Sequence, residues 1–137
     1  MQRPGFIVNS ILIALTFFLL AKLGLILSLI YSNVTLIWLP SGLSLPVLLF
    51  GGNKYLPAIS TGAFMATFST GAPIEFAFLT AVGNSLEPLA SSYVLKFQKN
   101  SENYLSNFKE VIIFFLFSVF LAPLISASIG VFGLCMT

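Results

Sequence analysis

The chain has 137 residues, 58% of them apolar and only 7% charged, with a formal net charge of +2. A soluble domain carries about 25% charged residues and could not hide so many apolar side chains in one core of this size, whereas a lipid solvent lets them face outward. There is no His and no Asp, and the acids are Glu75, Glu87, Glu102 and Glu110, which excludes His or Asp phosphoacceptors and His-based catalysis.

The first apolar run, 6–31, is long enough to cross a hydrocarbon core at about 1.5 Å per residue. Arg3 is a thin basic region for a signal peptide, the run exceeds an h-region, and no A-x-A-like site follows. It reads as a retained helix that also directs insertion. The second span, 34–52, is interrupted by Pro40, Gly42 and Pro46. Proline removes a donor and restricts the residue before it, so 33–39 is expected to be partly non-helical. A helix should start near Pro40 or Ser41 and be kinked at Pro46. The third span, 56–70, is short, and Gly71, Ala72 and Pro73 make a turn. The fourth, 74–97, holds Asn84, Glu87 and Pro88. In the polar stretch 98–110, Tyr104, Leu105 and Phe108 suit one face of an interfacial helix; a solvated loop is the alternative. The fifth span is 111–136. The predicted fold is an all-α, polytopic membrane bundle of about five helices.

Loop charges test this count. With five spans, Arg3, Lys54, Lys96, Lys99 and Lys109 fall on one side. The other side has Ser32, Asn33 and 71–75, with no basic residue. The positive-inside rule then predicts an inner-membrane protein with its N-terminus cytoplasmic and its C-terminus external. Treating the second span as a re-entrant dip would move Lys54 outside and spoil the split. The bilayer is the expected partner, and nucleic acid is not, because no Lys/Arg cluster exists. Ser118, Ala122, Ser126 and Gly130 recur every four residues, as do Gly62 and Ala66, a spacing that lets helices approach closely. No internal repeat is evident, which weakens an inverted-repeat transporter.

Lys22 and Glu87 are charges deep in apolar spans, where a partner or a wet cavity is expected. Counted from Tyr31, Lys22 lies roughly 14 Å deep, and counted from Ile74, Glu87 lies roughly 20 Å deep. A Lys22–Glu87 intramembrane ion pair is therefore predicted; the alternative is that one of them titrates or meets a ligand. Asn84 sits one turn before Glu87 on the same face. The segment from Asn33 to Gly42 should line an outward-facing hollow, since irregular backbone at membrane depth survives only inside protein or beside water. Trp38 could instead be an interfacial anchor. The candidate signal or ligand pocket is thus Trp38, Pro40, Ser41, Gly42, Asn84 and Glu87. No catalytic residue, metal site or cofactor is predicted. Serine, cysteine and glutamate lack a base partner, and metal ligands are too few. The single Cys135 reads as a buried, inert thiol.

Several segments resemble the type-one membrane-associated sensor domain of bacteria, the first type of the MASE family. They are Asn33-Val34-Thr35-Leu36-Ile37-Trp38-Leu39-Pro40-Ser41-Gly42, Leu48-Leu49-Phe50-Gly51, Leu56-Pro57-Ala58-Ile59-Ser60-Thr61-Gly62-Ala63-Phe64 and Ala81-Val82-Gly83-Asn84-Ser85-Leu86-Glu87. Ala21-Lys22-Leu23-Gly24-Leu25 and Ala122-Pro123-Leu124-Ile125-Ser126-Ala127 with Gly130 complete the match, in order, over nearly the whole chain. The resemblance implies an input module of about eight helices, joined to a histidine kinase, a diguanylate cyclase or a cyclic-di-GMP phosphodiesterase, with ligands mostly undefined. Against that pattern, ending at Thr137 after an external fifth helix predicts the front part of a sensor without its output domain. A separately encoded remainder or a second copy is the expected protein partner. The competing readings are a small transporter component or channel subunit and an inert membrane fragment.

Overall fold

A computed structural model describes residues 4–30, 38–97 and 107–136. Residues 33–37 of the predicted irregular stretch 33–39, residues 98–106 of the predicted loop or interfacial helix 98–110, and Arg3 and Lys99 lie outside the described residues. Helix α1 spans Pro4–Ile30. Helix α2, Leu39–Pro46, runs into a π-helical segment, Val47–Gly51. A 3₁₀ turn, Asn53–Tyr55, leads into α3, Leu56–Phe68, and α4 spans Ile74–Phe97. Helix α5, Phe108–Phe114, continues through a second π segment, Phe115–Leu121, into α6, Ala122–Met136. Five helical stretches result, with no strand among the described residues.

Local chemistry explains the breaks. Trp38 caps α2 with non-helical angles (φ −94°, ψ 88°), and Pro40 sits in the first turn, where its missing N–H costs nothing. Pro46 is followed by the π segment, which ends at Gly52 with φ +85°, a conformation that favours glycine. Pro123 deprives the Val119 carbonyl of its α-helical donor, and the π register over Phe115–Leu121 coincides with that defect. Helix α3 stops at Phe68, two residues short of the predicted end. There the amides of Ser69, Thr70 and Gly71 turn back to the carbonyls of Met65, Thr67 and Phe68.

The packing register gives each helix a direction. Phe6 stacks on Tyr55, and Gly62 of α3 faces Ala14 and Phe17 of α1, so α1 and α3 run parallel. Trp38, Ser41 and Leu48 meet Asn84, Glu87 and Lys96, so α2 runs parallel to α4. Gly83 abuts Ser126, and Gly133 abuts Phe76 and Leu79, so α4 and α6 are antiparallel. The hydroxyls of Ser60 and Ser85 bond at 2.6 Å across α3 and α4. The centre is built from Phe17, Ala21, Leu48, Ile59, Ala63, Ala66 and Ala81, mostly small residues that bring backbones close. Large apolar side chains such as Ile11, Leu15, Leu19, Phe78, Phe120 and Phe132 are exposed outward, as a lipid solvent allows. Helix α1 and the continuous rod Phe108–Met136 are each long and apolar enough to cross a bilayer.

The last helix departs from expectation in two places. The packed face of α6 carries Ala122, Ser126 and Gly133, whereas a side chain at Gly130 would meet open space. A strict four-residue repeat drifts around a helix of 3.6 residues per turn, so by Gly130 it has left the face that Ala122, Ser126 and Gly133 share. Cys135 is exposed rather than buried. It lies two residues past Gly133, on the side of the helix turned away from α4.

Candidate functional site

Helix α2 is half a span. It begins at the level of Asn84, about 15 Å below the outer end of α4. Residues at i, i+3, i+6 and i+10 of this piece face α4 or the interior. Trp38 Nε1 donates to Asn84 Oδ1 at 3.0 Å. Ser41 Oγ donates to Glu87 Oε1 at 2.8 Å. Ser44 turns its hydroxyl to the carbonyls of Pro40 and Ser41, and Leu48 is wholly buried. The Ser126 side chain of α6, packed against Gly83, lies on the other side of the same carboxyl, close enough to act on it electrostatically. A single buried carboxyl therefore links α2, α4 and α6. Pro88, next to it, leaves the Asn84 carbonyl without its helical donor, so α4 is weakened at the level of this junction.

Above the Trp38–Asn84 bond lies a cavity of about 190 Å³ between α1, α3 and α4. Trp38, Asn84 and Phe17 form its floor, Ala21 and Ala66 its sides, and Thr70 its outer rim. The Trp38 ring rests 3.7 Å from where a side chain on Gly24 would begin, so that glycine gives the indole its seat. Asn84 Nδ2 donates to the Thr80 carbonyl at 2.8 Å, and Thr80 Oγ1 reaches Thr67 Oγ1 at 3.1 Å.

Of the six predicted pocket residues, the structure brings four together in two bonded pairs, Trp38 with Asn84 and Ser41 with Glu87. Only Trp38 and Asn84 line the cavity. Pro40 is fully buried in the packing, and Gly42 is exposed, with nothing within 4 Å of an added side chain. One residue around the helix from Ser41, it looks away from α4. Thr67, Thr80 and Ser126 were not singled out as site residues. Thr80 also bonds carbonyls of its own helix, which in sequence looks like ordinary helix behaviour. The repeat of small residues had marked Ser126, but only for packing.

The predicted Lys22–Glu87 pair does not form in the structure. Lys22 Nζ reaches the Ser69 carbonyl at 3.4 Å and lies 5.8 Å from the Phe18 ring. Ser69 is the first residue after α3, so Lys22 lies at the outer end of the bundle, while Glu87 is about 20 Å deeper along α4. Depth counted from Tyr31 misled because α1 extends beyond the end of α3.

At the opposite end, Lys54 sits over the rings of Phe6 and Tyr55, and Lys96 Nζ donates to the Leu48 carbonyl at 3.1 Å. Asn53 bonds the Tyr93 hydroxyl, and Lys109 opens α5 at the same end.

In comparison with known families, the MASE1 family model aligns with residues 9–136. Neither a curated protein nor a solved structure matches the chain.

Proposed function

Because the chain belongs to the MASE1 family, the membrane-associated sensor domains of signalling proteins, we propose that it is the transmembrane input element of a bacterial receptor whose output is a histidine kinase or a diguanylate cyclase. The observation that carries this reading is the junction at Glu87. The carboxyl bonds α2 through Ser41 and faces Ser126 of α6, one turn below a cavity whose floor is the bonded pair Trp38–Asn84. A ligand that favours one arrangement of Trp38 would bias that junction, and only such a difference in affinity can shift an equilibrium of helix packing. The part of this membrane module is to bind and relay; the output chemistry belongs to the kinase or cyclase that it serves.

Deleting the gene in the source cells should change either the cyclic-di-GMP level or the phosphorylation of one response regulator. The wild-type chain should restore it, and the double variant Trp38→Phe, Asn84→Leu should not. Unchanged levels of both after deletion would defeat the proposal.

The same reading orients the chain. Lys54, Lys96 and Lys109 share one end of the bundle, which the positive-inside rule assigns to the cytoplasm. Cys135, the sole cysteine, is then near the outer face and exposed. A membrane-impermeant maleimide should label it in intact cells as fully as a permeant one. Labelling only after the cells are opened would reverse the orientation.

A further inference from the structure

The cavity above Trp38 has a composition that selects among ligands. Its walls include three aromatic rings, Phe17, Trp38 and Phe76, and no charged side chain. Its polar lining is three threonine hydroxyls, the Trp38 indole N–H and the Asn84 carboxamide, of which the Thr67 hydroxyl and the carboxamide are only partly satisfied. Asn84 gives one amide hydrogen to the Thr80 carbonyl and keeps a second. Thr80 gives its one hydroxyl hydrogen to the carbonyls of Phe76 and Ala77, so Thr67 donates to Thr80 and keeps a lone pair that can accept from a ligand hydroxyl. A charged ligand would find no counter-ion, and burying it unpaired would be costly. A pure hydrocarbon would leave these groups unmet. The volume of about 190 Å³ is somewhat larger than that of an engineered apolar cavity of about 150 Å³ that holds benzene.

We propose that this cavity binds a small, uncharged, single-ring aromatic that carries a hydroxyl, with the ring between Phe17, Trp38 and Phe76 and the oxygen at Thr67 and Asn84. This deepens the sensor reading by naming a ligand class. The binding itself is read on the purified chain, without any cellular output, so the two ideas can fail separately.

Trp38 is the only tryptophan and lines the site, so its fluorescence reports occupancy directly. The probe is 4-bromophenol, whose bromine quenches indole emission on contact, titrated into the full chain in lipid nanodiscs. Saturable quenching is expected with a midpoint of about 0.1–1 mM, the range for a ligand of this size. Ala66→Leu, which fills the cavity, should remove the saturable part and leave only the linear collisional quenching of a membrane-dissolved phenol. Thr67→Val keeps the shape and removes the hydroxyl. It should weaken binding at least about fivefold, in line with the loss of one buried hydrogen bond, and it keeps the test open if Ala66→Leu does not fold. Bromobenzene should bind more weakly than 4-bromophenol in the wild type. Linear quenching in the wild type, equal affinity for the two probes, or no effect of Thr67→Val would each overturn the assignment.

Discussion

Gly62→Ala is expected to destabilise the bundle by about 1–3 kcal/mol, the cost of overpacking a tight site, although alanine is the better helix former. A methyl group at Gly62 would stand 2.8 Å from the Ala14 carbonyl oxygen and 3.0 Å from the Phe17 Cβ. The nearest atom belongs to the backbone of α1, so it cannot swing aside as a side-chain tip could. Relief requires α1 and α3 to move apart, which also loosens Phe17, Ala21 and Ala63 in the centre. Gly130→Ala is the matched control: the same change in the middle of a helix, with nothing within 4 Å. There the propensity gain of about 0.8–1 kcal/mol should stand alone. Reversible unfolding of the two variants in mixed micelles measures the difference. Shifts of the same sign and size would mean that α1 and α3 do not touch at Gly62.

That contact was legible in the sequence as the pair Gly62 and Ala66, while the equivalent contact on α6 was only half legible. Small residues four apart stay on one helix face for only a turn or two, because the helix turns every 3.6 residues. Over the length of α6 that drift carries Gly130 off the packed face and brings Gly133 onto it. The helical pieces could be read because long apolar runs and clustered lysines are one-dimensional signals. The broken second span could be read because prolines act locally: Trp38 caps, Pro40 opens and Pro46 precedes the π turn. Relations across helices were harder. Glu87 was recognisable as a costly residue needing partners, but the partners turned out to be two serines that carry no charge signal. Lys22 looked buried because sequence depth was measured within one helix. Its true depth depends on where the neighbouring helix α3 ends. The cavity was the least legible feature, since Phe17, Thr67 and Thr80 come from three helices and each looks ordinary on its own.

Glu87→Gln is expected to leave stability within about 1 kcal/mol of the wild type and to abolish the cellular response. The magnitudes point this way. Hydrogen bonds between membrane helices average about 0.6 kcal/mol, so the one from Ser41, with the longer polar contact of Ser126, contributes about 1 kcal/mol at most. A charged residue at mid-helix costs about 2.5–3.5 kcal/mol on insertion, and no cation stands against Glu87 among the described residues to offset it, because Lys22 is held at Ser69. Stability alone therefore gives no reason for an acid here. Glutamine has the same length and still offers one carbonyl oxygen, so it can keep one serine but not both on the same terms. What it loses is a two-oxygen acceptor able to hold α2 and α6 at once while α4 is weakened at Pro88. Unfolding of Glu87→Gln in mixed micelles, read beside the cyclic-di-GMP and regulator-phosphorylation response of cells carrying it, separates the two roles. A variant that unfolds far more easily would make Glu87 a structural brace. A stable variant with a full response would remove it from the relay. A stable variant that no longer responds is the outcome expected of a carboxyl that couples the ligand-facing half-helix to the last helix of the bundle.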